Sequence, residues 1–214
     1  MRLIVGISGG SGAIYAVGLL QILKLLGVET HLVMTRMGED VVKYECGLDR
    51  GDLMEFVKQS YSYDDLYAPI ASGTFKIDGM VVIPCSMKTL AAISTGYSDN
   101  LLSRSADVVL KEGRKLVVVP RETPLSTIHL RNMLELSKAG AVIMPATPGF
   151  YTNPQSISDI VAIMAGKVLD AFNIEHDLTD RWGEERKVGE REGAETVNEG
   201  LYESSRREKP AFDM

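Results

Sequence analysis

A cluster of glycines follows the first apolar run of the chain, in the stretch LIVGISGGSGAIYA that begins at Leu3. Loops of this kind let backbone N–H groups approach a phosphate at the N-terminus of the following helix. The stretch departs from three common templates. Tyr15 replaces the third glycine of a dinucleotide fingerprint, a P-loop lysine is absent, and Ala13 stands where a nucleophile elbow needs glycine. The loop therefore predicts a phosphate-bearing ligand without identifying it.

Small hydroxyl-bearing and charged residues follow each of the other predicted strands. In chain order these are Thr35, Arg36, Ser86, Lys88, Thr89, Arg121, Glu122 and Tyr151. Ligands of open parallel sheets bind beyond the carboxyl ends of the strands, so these residues belong to one edge. Each hydroxyl could instead be a simple helix N-cap, as Ser11, Thr35 and Ser86 would suit. Taken together, the strand ends predict a site for a ligand that carries phosphate.

Four further charged residues allow two interpretations each. Arg104 and Lys111 are seven residues apart and share one side of a predicted helix, where periodicity alone favours a solvent-exposed stripe. Lys167, late in the last predicted helix, has the same simple interpretation. Glu45 either pairs with a surface base or faces the ligand, and spacing does not choose between the two.

Five short apolar runs predict strands, and helical patterns separate them. The predicted strands are 3–7, 30–35, 79–84, 115–120 and 141–145, and the predicted helices are about 12–26, 37–46, 50–60, 86–94, 101–113, 126–139 and 156–173. Strands that are apolar on both faces are typical of a covered, mainly parallel sheet. The alternation predicts a Rossmann-like three-layer α/β/α sandwich. Ser156 followed by Asp159 predicts a helix-capping pair.

Composition and charge restrict the function classes. The net charge of -6 and the pI of about 5.2 argue against a general nucleic-acid binder. The apolar runs are too short to span a membrane, and the N-terminus lacks the pattern of a signal peptide. Two cysteines suit a reducing cytoplasm, and three widely separated histidines make a zinc site improbable. We expect a cytoplasmic protein that binds neither nucleic acid nor membrane.

The chain changes character near its end. Its 214 residues suffice for one well-buried domain, which we place at 1–182. Residues 183–214 are polar, highly charged and poor in apolar side chains, which is typical of a segment that cannot bury a core of its own. We therefore predict a mobile tail there rather than a second domain. Residues 61–78 are rich in turn formers and predict a long ordered loop or short strands.

Three long motifs resemble the UbiX-type flavin prenyltransferases, within the homo-oligomeric flavin-containing Cys decarboxylase superfamily. They are GISGGSGAIYA, PCSMKTLAAISTGYSDNLLSRSADVVLKEGRKLVVVPRETPLSTIHLRNML and GAVIMPATPGFYTNPQS, and the resemblance covers approximately residues 2–182. It implies metal-independent transfer of a dimethylallyl group from dimethylallyl monophosphate to N5 and C6 of reduced FMN, with release of phosphate. The product, prenylated FMN, is the cofactor of UbiD-type decarboxylases. Family members form dodecamers, which implies sites at subunit interfaces.

The resemblance also implies roles for individual residues. Ser11 and Glu45 match positions near flavin N5, where a proton must be managed, and Glu122 would assist proton transfer beside the prenyl phosphate. Lys167 stands where many relatives carry arginine, so a point charge replaces a bidentate fork there. The implied FMN contacts are Gly9, Gly10, Ser11, Thr35, Ser86, Met87, Lys88, Thr89 and Arg121. The implied ligands of the prenyl phosphate are Arg104, Lys111, Tyr151 and Lys167, with Lys111 also stabilising the leaving group.

Two other functions deserve comparison with this one. A non-catalytic FMN-binding subunit of an aromatic acid decarboxylase would keep the glycine loop but would not need Glu45, Lys111, Glu122 and Tyr151. A peptidyl-cysteine or phosphopantothenoylcysteine decarboxylase of the same superfamily resembles its relatives in a histidine after the glycine loop and a P-x-M-N-x-x-M-W segment. This chain has neither, so the residues favour the prenyltransferase.

Overall fold

The computed structural model describes residues 1–179, which form one parallel sheet with helices on both faces. Its strands are β1 (Arg2–Ile7), β2 (Glu29–Met34), β3 (Gln59–Tyr61), β4 (Gly79–Cys85), β5 (Lys115–Pro120) and β6 (Val142–Ile143). They are ordered β3-β2-β1-β4-β5-β6, and every neighbouring pair is parallel. The predicted Rossmann-like α/β/α sandwich is confirmed. The predicted tail, 183–214, lies outside the described residues.

Seven α-helices connect and cover the strands of the described chain. They are α1 (Ala13–Leu25), α2 (Arg36–Cys46), α3 (Arg50–Leu53), α4 (Met87–Ser94), α5 (Leu101–Lys111), α6 (Thr127–Lys138) and α7 (Ile157–Ala171). Short 3-10 turns occupy Met54–Phe56 and Pro69–Ala71. Six of the predicted helices are present, with bounds that differ by a few residues. Within residues 1–179, no helix combines the length and apolarity that crossing a bilayer requires.

The predicted helix at 50–60 is wrong. Its first residues form the four-residue α3 and a 3-10 turn, and its end extends into β3, which pairs with β2 through contacts such as Val33 with Tyr61. The edge of β2 exposes backbone N–H and C=O groups, and a short edge strand satisfies some of them. This pairing is non-local, so the periodicity of residues 50–60 could not reveal it.

The core lies on both faces of the sheet. Leu3, Val5 and Ile7 of β1 pack with α1 and α7 on one face, whereas Ile4 packs with α4 and α5 on the other. Successive strand residues point to opposite faces of the sheet, so a strand whose residues are all apolar is buried on both faces. The core therefore explains why the strands are apolar throughout.

Helix caps gather at the carboxyl edge of the sheet, because the helices of parallel α/β units begin where the strands end. The predicted capping pair at α7 is confirmed: Asp159 N donates to Ser156 Oγ at 3.1 Å, and Ser156 N donates to Asp159 Oδ2 at 3.1 Å. The starts of α1, α2 and α4 lie at the same edge, so the loops before them can contribute to one site.

Candidate functional site

A cavity of about 970 Å³ opens at the carboxyl edge of the sheet. Five of the nine residues predicted to contact a flavin line it, namely Gly9, Thr35, Ser86, Lys88 and Thr89. Other lining residues carry no signal in the sequence that predicts them, namely Met37, Asp40, Tyr63, Asp64, Tyr97 and Asp99 among others. These come from the start of α2, the 62–78 loop and the turn before α5. Only the folded chain brings these segments together.

The turn before α4 is held by two serines from different strands. Ser8, which is fully buried, donates from Oγ to the Pro84 carbonyl at 3.0 Å and accepts from Ser86 N at 2.7 Å. Ser86 in turn caps α4, since its Oγ accepts from Thr89 N at 3.3 Å. The positive end of the α4 dipole therefore lies at the cavity in a fixed position, where it favours an anionic group.

At two positions of the first loop, the backbone geometry requires glycine. A Cβ at Gly9 would lie 2.3 Å from Met37 Cγ, and Gly12 has a φ of +100°. By contrast, a Cβ at Gly10 would lie 3.5 Å from Pro84 Cβ, which is an ordinary contact. The loop thus needs glycine for close approach to α2 and for the left-handed turn into α1.

Glu45 is bound to the N-terminus of α1. Its Oε2 accepts hydrogen bonds from Gly12 N and Ala13 N, both at 2.8 Å. Gly12 is the N-cap residue and has no side chain with which to cap the helix. Glu45, on α2, supplies the missing acceptor. Of the two possibilities that the sequence left open, the structure places Glu45 at the glycine loop rather than in a surface ion pair.

Glu45 also lines a second, smaller cavity of about 350 Å³. The other lining residues are Ser11, Gly12, Ile14, Tyr15, Arg121, Ala146 and Ile157. This cavity brings together Ser11, Glu45 and Arg121, which are far apart in the sequence. Tyr15 was noted only as a mismatch to a fingerprint, and its place in this cavity could not be predicted from that.

Burial keeps one phenol of the smaller cavity and the two cysteine thiols in their neutral forms. Burial raises the pKa of the Tyr15 phenol above its ordinary value. Burial, together with the nearby Glu45 charge, raises the pKa of the Cys46 thiol to about 12. Burial also raises the pKa of Cys85. Neither cysteine is therefore a thiolate nucleophile at neutral pH.

An ion pair joins two segments that line the larger cavity. Arg36 Nη2 at the start of α2 lies 2.9 Å from Asp64 Oδ2 in the 62–78 loop. Hydrogen bonding to Asp64 raises the pKa of Arg36. Both side chains are well exposed, so the pair contributes little to stability. It links the loop to the start of α2 beside the cavity.

The basic residues predicted to bind the prenyl phosphate lie elsewhere on the protomer. Arg104 Nη1 pairs with Asp107 Oδ2 at 2.8 Å, and Lys111 pairs with Glu112. The N-terminus of α5 lines the larger cavity through Ser103. From Ser103 the helix runs about 12 Å further to Lys111 at 1.5 Å per residue, so Lys111 lies toward the amino edge of the sheet.

Three other predicted residues lie outside both cavities. Tyr151 is in the loop between β6 and α7, and Glu122 is exposed and accepts from Thr123 N at 3.1 Å. Lys167 is exposed on α7, ten residues beyond Ile157 and so about 15 Å along the helix axis. The two cavities therefore bring together residues predicted to contact FMN but not the residues predicted to bind the prenyl phosphate. Residues 1–179 contain no group of three His, Cys, Asp or Glu side chains suited to a metal.

Comparison with known proteins gives the family. Residues 1–169 match the family model described as Flavoprotein. The flavin prenyltransferase UbiX of Halalkalibacterium halodurans is 48% identical over 192 residues, and the match covers 85% of this chain and 93% of that relative. The chain belongs to the UbiX-type flavin prenyltransferases.

Solved structures agree with this membership of the UbiX-type family. AnUbiX (PadA1), solved in complex with FMN and dimethylallyl pyrophosphate, has a TM-score of 0.84 and 46% identity, covering 86% of this chain and 98% of that chain. A dodecameric FMN-dependent UbiX-like decarboxylase from Escherichia coli O157:H7 also has a TM-score of 0.84, with 50% identity over 86% of this chain and 100% of that one. The resemblance stated from the motifs is thereby confirmed.

Proposed function

We propose that this protein transfers a dimethylallyl group from dimethylallyl monophosphate to N5 and C6 of reduced FMN and releases phosphate. The observation that carries the proposal is the carboxyl-edge site, where the capped start of α4 adjoins a glycine loop bound by Glu45. This site lies in a chain whose sequence is 48% identical to that of a flavin prenyltransferase over 192 residues. The prenylated FMN would serve a UbiD-type decarboxylase.

The larger cavity suits FMN by its size and its polar groups. Its volume of about 970 Å³ lies within the range of cofactor sites. Ser86, Lys88 and Thr89 at the start of α4 would hold the FMN phosphate, and Gly9 lines the same cavity. Gly10, Ser11, Thr35, Met87 and Arg121 complete the proposed set of contacts. When bound and reduced, FMN supplies the nucleophilic N5 and C6 atoms.

Ser11 and Glu45 would manage a proton at the N5 end of the site. The two N–H donors of α1 engage Glu45 Oε2, which orients the carboxylate and directs proton exchange to Oε1. Ser11 lines the same cavity and can relay the proton through its hydroxyl. The neutral Tyr15 phenol and the apolar Ile14 and Ile157 side chains form part of the lining there.

Basic residues would stabilise the phosphate as it leaves. Lys111, Arg104 and Lys167 carry positive charge, and Tyr151 offers a hydroxyl donor, so together they can stabilise developing negative charge. Glu122 would assist proton transfer beside them. Because α5 carries Lys111 away from its own cavity, the proposal requires a neighbouring copy to complete the site.

Self-association of this chain is part of the proposal. The E. coli relative is described as dodecameric, and we propose a homododecamer here. On and beside α6, Leu125, Ile128, Leu130 and Leu134 are between 41% and 69% exposed, which is unusual for apolar side chains of an isolated protomer. The two free, buried cysteines accord with function in a reducing cytoplasm.

Mass spectrometry tests the reaction directly. Purified protein is incubated anaerobically with reduced FMN and dimethylallyl monophosphate, and the extracted flavin is weighed. A gain of one C5 prenyl unit is expected. Tightly bound but unmodified FMN would contradict the proposal and favour the alternative, a non-catalytic FMN-binding subunit.

A pair of lysine variants tests the phosphate ligands. Lys111→Ala should weaken use of the prenyl donor and leave FMN affinity nearly unchanged. Lys138→Ala is a matched control, because Lys138 also pairs with a nearby glutamate, Glu135, at 3.0 Å. Equal losses of donor use and FMN affinity in Lys111→Ala would assign Lys111 to folding or to the flavin instead.

A further inference from the structure

The N-terminus of α1 has the components of an anion site, and the protein fills that site itself. Gly12 N and Ala13 N converge on Glu45 Oε2 at 2.8 Å each. Arg121 and Ser11 line the same cavity. The first turn of α1 contains no acidic residue, so the carboxylate comes entirely from another element, α2.

We infer that Glu45 is the resident anion of the glycine loop and that it keeps the phosphate of the prenyl donor out of this position. The inference rests on the proposed function for the identity of the donor. A carboxylate on two N–H groups satisfies the helix end and offsets its positive dipole. An incoming phosphate dianion would have to displace these charge-assisted bonds and would meet repulsion from Glu45.

This exclusion would give the donor one orientation. Dimethylallyl monophosphate has an apolar end and a dianionic end, and only the apolar end should approach Ser11. Without the Glu45 charge, Arg121 and the two N–H groups of α1 would attract the phosphate and hold the donor reversed. With Glu45 in place, the phosphate is left to basic residues elsewhere.

The α4 N-terminus shows the opposite arrangement. Its cap is local, from Ser86, and the carboxylates that line the adjoining cavity, Asp40, Asp64 and Asp99, make no hydrogen bond to the first turn of α4 among the described contacts. The start of α1 is therefore neutralised, whereas the start of α4 is available to an anion. Glu45 makes the difference between them.

Selenate, a phosphate-like dianion with a strong anomalous signal, tests the inference without any turnover. Crystals of the wild type, Glu45→Ala and Glu39→Ala are soaked in selenate. Glu39 is on the same helix and pairs with Arg50 at 3.6 Å, so its variant controls for the loss of one negative charge. An anomalous peak at Gly12 N and Ala13 N is expected in Glu45→Ala alone. A peak there in the wild type, or none in a folded Glu45→Ala, overturns the inference.

A solution measurement covers the case in which Glu45→Ala does not fold. Glu45→Gln retains the size of the side chain but not its charge. Inorganic phosphate is titrated into FMN-loaded protein while the flavin absorbance is recorded. Phosphate should bind about tenfold more tightly to Glu45→Gln than to the wild type or Glu39→Ala, a factor that corresponds to about 1.4 kcal/mol. Equal affinities overturn the inference, whereas failure of the proposed function would appear separately, as unmodified flavin in the wild-type mass assay.

Discussion

The two edges of the sheet contain similar polar residues in different arrangements. At the amino edge, Arg2 Nε lies 2.6 Å from Glu29 Oε1, and His31 Nε2 lies 3.0 Å from the same oxygen. At the carboxyl edge, Glu45 and Arg121 line a cavity. β1 runs from one edge to the other. A single strand therefore connects a cluster whose polar residues bond to each other with a cluster that lines a cavity.

The amino-edge cluster is closed because its members satisfy one another. His31 Nδ1 is 2.8 Å from the Tyr61 hydroxyl, and the Phe75 ring packs edge-on against His31 and beneath Arg2. This cluster ties β1, β2 and β3 to the 62–78 loop. At the carboxyl edge, Glu45 accepts two backbone hydrogen bonds at the start of α1 through one carboxylate oxygen, and it lines a cavity together with Arg121. The two edges therefore differ in that the polar residues of one bond to each other, whereas those of the other line a cavity.

The largest effect on stability is expected at the serine that links the carboxyl-edge turns. Ser8→Ala removes an acceptor for Ser86 N and leaves that partly buried donor unpaired, which should lower the free energy of unfolding by about 2 kcal/mol. Urea denaturation measures the loss. Ser94→Ala is the control, because Ser94 only bonds within α4, to the Ala91 carbonyl. Similar losses in both variants would show that Ser8 has no special role in the turn.

The next effect separates the edges by function. Glu45→Gln should keep FMN bound and slow prenylation at least tenfold, which corresponds to about 1.4 kcal/mol of barrier. Glu29→Gln, the equivalent change at the amino edge, should leave the rate unchanged. Time courses of flavin mass measure both. Unchanged turnover in Glu45→Gln would remove Glu45 from the mechanism.

Two helix caps give a smaller, matched comparison. Ser86→Ala and Ser156→Ala each remove an N-cap hydroxyl, and each should reduce the free energy of unfolding by about 1 kcal/mol. Only Ser86 lines the larger cavity, so only Ser86→Ala should also weaken FMN binding. Urea denaturation and flavin titration separate the two effects. Equal FMN affinity in both variants would argue against a phosphate position at α4.

The smallest effect is a pH dependence at the amino edge. Hydrogen bonds from Arg2 and then His31 lower the pKa of Glu29 from 4.5 to about 2. A carboxyl whose pKa is lower in the folded state stabilises the fold above its unfolded pKa, and this contribution is lost as the pH falls from about 4.5 toward 2. Thermal denaturation of Glu29→Gln should therefore vary less with pH in that window than denaturation of the wild type. The partial exposure of Glu29 keeps the difference small. Identical pH profiles would mean that the pair contributes nothing.

The sequence alone determined the features that depend on patterns of residues close together in the chain. Doubly apolar runs marked five strands, helical periodicity marked six helices, and Ser156 with Asp159 marked a cap. The glycine loop and the hydroxyls after the strands predicted a site at the carboxyl edge of the sheet, where several of these residues line a cavity. Long motifs identified the family, because they preserve the residue types that a shared chemistry requires.

Tertiary structure alone decided which of these residues meet. β3 exists because β2 has an edge to pair, whereas the local pattern of residues 50–60 favoured a helix. Glu45 reaches Gly12, 33 residues away, because α2 packs beside α1. Conversely, Arg104 and Lys111 share a helix whose start lines the larger cavity, yet its axis carries Lys111 away from it. Spacing along a chain fixes the side of a helix on which a residue lies, but the packing of that helix fixes what the residue faces.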